Sequence, residues 1–318
     1  MPAIERRIGP RASLVIGLVN NMPTAARRAT ERQFAGLLAA ASQTLNKYIH
    51  VLVVETCVDQ GDALFDVLRQ RRPDALIVTG AEPQSVLITD EPFWPVLARL
   101  ADWAADHTIS TAWSCLAAHA AAFRMDQLTR SRLPQKLSGV YTCGRAADHP
   151  LLTDLPPRWL VPHSRYNNLD ESDLTGKGYT ILSRGAGVGV DSFIKHSGSS
   201  LFLLLQGHLE YGPDSLRNEY RRDVNRFLTG ERDVYPEMPE GCFDQHVERT
   251  LMTLRKQVGD VPNLDLLASV EGAIRVAPGH PWRSPAVKLF ANWLSYLATE
   301  KQARADLTHP RRAFSSAQ

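Results

Sequence analysis

The chain has 318 residues, and its 44% hydrophobic and 22% charged content matches an ordinary globular protein and excludes extended disorder. Thirty-six basic residues stand against 34 acidic ones, a net charge of +2, which is too weak a field to argue for nucleic acid or an anionic membrane as partner. Four scattered cysteines, Cys57, Cys115, Cys143 and Cys242, form neither a disulfide framework nor a CxxC pair, so a reducing cytoplasm and no metal are expected. The apolar run Leu14 to Val19 after Arg6, Arg7 and Arg11 is too short for a signal peptide, and no stretch reaches the ~20 apolar residues of a membrane span.

In chain order, residues 14–19 read as a strand buried on both faces, closed by Asn20-Asn21-Met22-Pro23. A helix follows, with Thr24 as its N-cap and Phe34, Leu37, Leu38 and Ala41 at helical spacing. Then come a strand at 49–55, a helix at 62–71, a strand at 75–79, a helix at 93–106, a strand at 108–112 and an Ala-rich helix at 115–125. This alternation predicts an α/β protein of flavodoxin-like type: a mostly parallel sheet, helices on both faces, and chemistry at the carboxyl ends of its strands. The second half reads as more β-rich, with short strands at 139–142, 180–183, 188–193 and 201–205 and a hairpin at Gly185 to Gly189. Residues 243–276 look helical and charged, and a last helix spans 286–302. The expected organisation is one domain over 1–302, with a helical insertion near 243–279 and a flexible tail at 303–318.

Cys115 sits where a strand turns into a helix. A thiol there is lifted above the sheet and faces the positive end of the helix, beside backbone N–H groups suited to an oxyanion. A base for it lies past the apolar run 201–205, where Gly207 opens the chain before His208 and Glu210. Two residues apart in an extended segment, these side chains project to one side, so Glu210 can orient His208. Nucleophile, base and orienting acid make the set used in acyl transfer. Cys57, Cys143 and Cys242 have no matching base, and Pro162-His163-Ser164-Arg165-Tyr166 fits a solvated loop as well as it fits contacts to an anionic substrate.

Asn20-Asn21-Met22-Pro23, Ile77-Val78-Thr79-Gly80-Ala81, Lys136-Leu137-Ser138-Gly139-Val140-Tyr141, Pro162-His163-Ser164-Arg165-Tyr166, Gly207-His208-Leu209-Glu210-Tyr211, Arg222-Asp223-Val224 and Asn292-Trp293-Leu294 occur in an order that resembles the homoserine O-succinyltransferase family. That family shares the fold of class I glutamine amidotransferases. The resemblance implies that Cys115 accepts the acyl group, with His208 the general base and Glu210 its partner. It further implies substrate contacts by Lys136, Ser164 and Arg222, an oxyanion hole from the backbone at Met22 and Leu116, and acyl-donor selection at Gln84. Succinyl-CoA or acetyl-CoA would be the co-substrate, with no permanently bound cofactor, and L-homoserine the acceptor, with L-serine or a glutamine amidotransferase-like hydrolysis as alternatives. A homodimer is also implied. The chain departs from the family at Asn21, at Leu116 and at Leu209, where the family has Leu, Trp and Pro.

Overall fold

The computed structural model describes residues 12–45, 49–257, 264–274 and 279–308. The first half alternates as expected: β1 (Ala12–Asn20), α1 (Thr24–Gln43), β2 (Ile49–Cys57), α2 (Asp62–Arg71), β3 (Ala75–Val78), α3 (Trp94–His107), β4 (Ser110–Ser114) and α4 (Leu116–Asp126). Next come β5 (Ser131–Arg145), β6 (Arg158–Asn168), α5 (Glu171–Gly176), β7 (Thr180–Gly185), β8 (Gly189–Ser197) and β9 (Ser200–Leu205). Among the described residues four helices follow: α6 (Ser215–Leu228), α7 (Gln245–Lys256), α8 (Leu264–Ala273) and α9 (Arg283–Thr308).

All nine strands join one sheet in the order β2-β1-β3-β4-β9-β8-β7-β5-β6. The first five run parallel, and from β9 onward every pairing is antiparallel. Successive side chains on a strand point to opposite faces. Accordingly Ile77, Leu203 and Leu205 join Phe34, Leu37, Phe290 and Trp293 of α1 and α9 in one core. Leu76, Val78, Phe202 and Leu204 join Leu64, Leu97 and Ala117 of α2, α3 and α4 in the other. A sheet buried on both faces explains why β1, β3 and β9 read as continuous apolar runs.

The structure adds to the sequence-based expectation, and in places departs from it. β5 and β6 are long strands, where only four residues of β5 and none of β6 were expected; β6 forms one edge of the sheet, which is where a proline such as Pro162 can be held without losing a ladder bond. The last helix runs on to Thr308, with Arg304 Nη2 donating to the Ser199 carbonyl at 2.6 Å, so the first part of the expected tail is ordered helix; residues 309–318 lie outside the described ones. The region expected as an insertion has a core of its own, in which Val247, Leu251, Leu266 and Val270 of α7 and α8 pack on Tyr220, Val224 and Leu228 of α6. The 185–189 hairpin is as expected, pairing Gly185 with Gly189 between β7 and β8. Among the described residues no helix is long and apolar enough to cross a membrane.

Candidate active site

Cys115 connects β4 to α4 with φ 51° and ψ −113°, a conformation that L-residues seldom adopt and that costs roughly 1–3 kcal/mol unless the surroundings impose it. Two features impose it here. Cys115 N–H donates to the Leu205 carbonyl at 2.6 Å, tying the turn to the end of β9. Gly80, just past β3, lies so close that a Cβ there would be 2.8 Å from Leu116 N and 3.0 Å from the Ser114 carbonyl. The turn therefore exposes the thiol above the sheet at the amino end of α4, where Leu116 N–H, the first of the helix, has no carbonyl one turn earlier to serve.

Beyond β9 the chain passes Gly207, whose absent side chain is again required. A Cβ would fall 2.4 Å from Val161 Cγ1 and 2.7 Å from Asp191 Oδ1. His208 N–H then donates to the Pro162 carbonyl at 2.8 Å, and Tyr211 N–H returns to the His208 carbonyl at 3.2 Å. The segment is thus a turn and not the extended strand that the spacing suggested, yet His208 Nδ1 meets Glu210 Oε1 at 2.8 Å. With Nδ1 so engaged, Nε2 is the nitrogen left for the thiol, and His208 also hydrogen-bonds the Cys115 side chain. Burial opposes the imidazolium, but the Glu210 carboxylate and the Cys115 sulfur favour it, and together they hold the His208 pKa well above the ordinary histidine value. The Tyr211 ring stacks on His208 with centroids 4.2 Å apart.

Facing this pair, β5, β6 and α6 supply a charged wall. Lys136 Nζ lies 3.2 Å from Glu219 Oε2 and 3.0 Å from Asp223 Oδ2. Glu219 also accepts hydrogen bonds from the Ser164 and Tyr211 hydroxyls. Arg222 donates from Nε and Nη2 to Asp223 Oδ1 at 2.9 and 2.8 Å, while its side chain stays 43% exposed. Burial alone would raise the Glu219 carboxyl; Lys136 and the two hydroxyls outweigh it and bring the pKa down to about 2. Cys115, Lys136, Ser164, His208, Glu210, Glu219 and Arg222 all line one cavity of about 780 Å³ including its mouth.

Glu219 was missed by the sequence reading, as was the whole of α6. The signal was present: Leu216, Tyr220, Val224 and Leu228 are buried at a spacing of four, which marks a helix and places Glu219 and Arg222 on its other side. Two expected site residues need qualification. Met22 lines the cavity, but its N–H donates to Asn20 Oδ1 at 3.0 Å and is engaged in this state. Gln84 lies in an adjoining cavity, while Ala81, Glu82 and Pro83 border both. Its backbone N–H donates to Glu91 Oε2 at 3.0 Å, and Glu91 in turn forms a fully buried pair with Arg130 at 2.7 Å that pins this loop.

Among the described residues, Cys143, His163 and Asp191 bring potential ligand atoms within 4.8 Å of one another. The group suits a cation poorly. Burial pushes the Cys143 thiol far up, which keeps it protonated, and Arg165 Nε sits 3.4 Å from His163 Nδ1. His119, which lines the same cavity as the nucleophile, is held neutral by burial with its pKa lowered to about 3, against a 2.9 Å hydrogen bond to Gln206 Oε1.

A strained cysteine elbow at the end of β4 shares one cavity with a histidine and a glutamate just past the end of the neighbouring β9, on a fold of the class I glutamine amidotransferase type. Solved structures bear out the fold. A glutamine amidotransferase from Methylobacillus flagellatus is 15% identical with TM-score 0.53, covering 90% of this chain and 96% of its own. A GMP synthase subunit from Thermoplasma acidophilum is 13% identical with TM-score 0.50, covering 92% and 98%. Sequence comparison is more specific. The homoserine O-succinyltransferase family profile matches residues 3–304. A homoserine O-succinyltransferase of Rhodopseudomonas palustris is 43% identical over 90% of this chain and 88% of its own length, and one of Bradyrhizobium japonicum is 40% identical over 92% and 93%. The chain belongs to the homoserine O-succinyltransferase family.

Proposed function

We propose that this protein moves a succinyl group from succinyl-CoA to the side-chain hydroxyl of L-homoserine through a thioester on Cys115, in the synthesis of methionine. The observation that carries this reading is Cys115 at the elbow with His208 hydrogen-bonded both to it and to Glu210. In the first half-reaction the Cys115 thiolate attacks the thioester carbonyl, and the developing oxyanion sits near Leu116 N–H at the amino end of α4. The Met22 N–H joins it if the acyl oxygen displaces the Asn20 side chain. Collapse expels the CoA thiolate, which takes the proton from the His208 imidazolium. CoA leaves as the thiol.

The second half-reaction uses the change this creates. The Cys115 sulfur is one of the groups that raise the His208 pKa, and as a thioester it carries no charge. The imidazole of the acyl-enzyme therefore holds a proton less tightly and stays neutral at lower pH, ready to take the hydroxyl proton of homoserine. The alkoxide attacks, the tetrahedral intermediate expels the Cys115 thiolate, and the thiolate and imidazolium pair is restored. Arg222 receives the carboxylate of the acceptor, for which its planar donor edge is suited, and Lys136 and Ser164 shape the same subsite. Gln84 acts on donor choice from outside the nucleophile's cavity, through the loop that Glu91 and Arg130 hold. We read the chain as one acyltransferase domain, to which the helices of the 243–279 region add a support for α6.

Intact-mass measurement after incubation with succinyl-CoA tests the reading. The wild type gains the mass of one succinyl group and loses it when homoserine is added, whereas Cys115→Ala gains none. A wild type that turns over both substrates without ever carrying the group would overturn the covalent route. Acetyl-CoA and L-serine, offered in competition, report on donor and acceptor choice.

A further inference from the structure

We infer that Arg165, with Asn167 beside it on β6, receives the distal carboxylate of the donor's acyl group and so selects dicarboxylic acyl thioesters over neutral ones. The inference rests on the acyl-transfer reading above and specifies how donors are told apart. Forming the thioester changes the charge inside the cavity: the sulfur anion is lost, and a succinyl group brings an anion of its own while an uncharged acyl group brings none. A buried cation close to the sulfur therefore keeps a counter-charge only when the acyl group carries one.

Among the described residues three lysine and arginine side chains border this cavity, Lys136, Arg165 and Arg222. Lys136 is paired with Glu219 and Asp223, and Arg222 with Asp223. Arg165 is only 3% exposed and forms no ion pair with a carboxylate of the described residues. Its Nη1 donates to the Asn167 carbonyl at 2.6 Å and to Asn168 Oδ1 at 2.9 Å, and its Nη2 to the Val188 carbonyl at 2.6 Å. Its Nε donates to His163 Nδ1 at 3.4 Å, and Asp191 is reached only through that ring, whose Nε2 lies 3.3 Å from Asp191 Oδ1. The guanidinium is thus fixed in place by uncharged acceptors, and the second N–H on Nη2 is left over. Burial lowers the Arg165 pKa; of the groups that oppose this the Cys115 sulfur acts most strongly, ahead of Asp191, so the cation is close enough to feel the nucleophile's charge.

A second observation lies two residues along the same strand, on the same side. Asn167 borders the cavity and is 5% exposed, yet only its carbonyl is engaged; its side-chain amide has no hydrogen-bond partner among the described residues. A buried amide left without a partner costs free energy that a bound group restores. The free N–H of Arg165 and the NH2 of Asn167 offer donors to the two oxygens of one carboxylate.

The test compares succinyl-CoA with butanoyl-CoA, the same chain with a methyl group in place of the carboxylate, and reads the rate of Cys115 acylation by intact mass. We expect the wild type to take the succinyl group roughly 10- to 100-fold faster, the worth of one hydrogen bond to a charged group. Arg165→Met should remove most of that ratio, and Arg165→Lys should keep part of it. Asn167→Ala, which breaks no side-chain hydrogen bond of the free protein, should narrow the ratio several-fold. A purely structural role for either residue would slow both donors alike and leave the ratio where it was. A wild type that takes both donors at the same rate overturns the inference without any variant. So does a ratio that survives in Arg165→Met or, should that variant not fold, in Asn167→Ala. A wild type that is acylated by neither donor counts against the acyl-transfer reading instead.

Discussion

On the proposed acyl-transfer route His208 gives a proton to one leaving group and takes one from the next nucleophile, and its neighbours set how readily it does each. The Glu210 carboxylate favours the charged ring, so it raises the pKa of His208; removing that charge lowers it. A general base works only when neutral, so activity with homoserine is present above this pKa and lost below it. Glu210→Gln should therefore shift the acid limb of the homoserine-dependent rate to lower pH. It should also reduce that rate, by up to the ~10²–10⁴-fold that a positioned base contributes, because the ring loses its orienting partner. A pH profile of the single-turnover discharge of the acylated enzyme measures both, and an unmoved limb would show that Glu210 does not govern the ring. At this scale the sequence was legible. His208 and Glu210 stand out because they follow the apolar run 201–205, and Cys115 because it sits where a strand turns into an Ala-rich helix, whereas Glu219 stands in a charged stretch where nothing local distinguishes it.

The strands deliver these groups only because two glycines leave room, Gly80 for the backbone of the elbow and Gly207 for the side chains of Val161 and Asp191. Gly207 is the sharper case, since Val161 is a stiff, fully buried β-branched residue and Asp191 is fixed by a 2.6 Å hydrogen bond from Ser183. Gly207→Ala should cost about 1–3 kcal/mol, as overpacking does, and should lower turnover further by displacing His208 from its bond to the Pro162 carbonyl. Thermal unfolding and kcat measured together check this; an unaltered Tm would mean that the turn has room to spare. Element by element, the parallel half was readable because β1, β3 and β9 carry continuous apolar runs and periodic helices separate the strands. β5 and β6 were not, because Pro134, Lys136, Pro162 and Arg165 interrupt the pattern, and those interruptions are tolerated by a register shift between Arg132 and Leu137 and by the edge position of β6. Two of the residues that broke the pattern, Lys136 and Arg165, line the cavity.

Across the whole molecule the site is assembled from parts with separate supports. Cys115 and His208 rest on the sheet and its two cores, while α6 rests on the third, built with α7 and α8. Leu251 is buried in that third core at 1% exposure, and Leu251→Ala should destabilise it by about 2–5 kcal/mol. The expected result is a raised KM for homoserine with little change in the rate at which succinyl-CoA acylates Cys115. Equal damage to both half-reactions would show the three cores to be one cooperative unit. The 243–279 region was recognised as helical from sequence, but its attachment to α6 was not, because that contact depends on residues far apart in the chain.

The seating of α6 on its own small core has a consequence for how such an enzyme can change. The cavity-facing side of α6 can be retuned from behind, by substitutions in α7 and α8 that never enter the cavity, while the Cys115 elbow keeps its packing. A lineage with this arrangement can reshape one wall of its cavity without disturbing the opposite one.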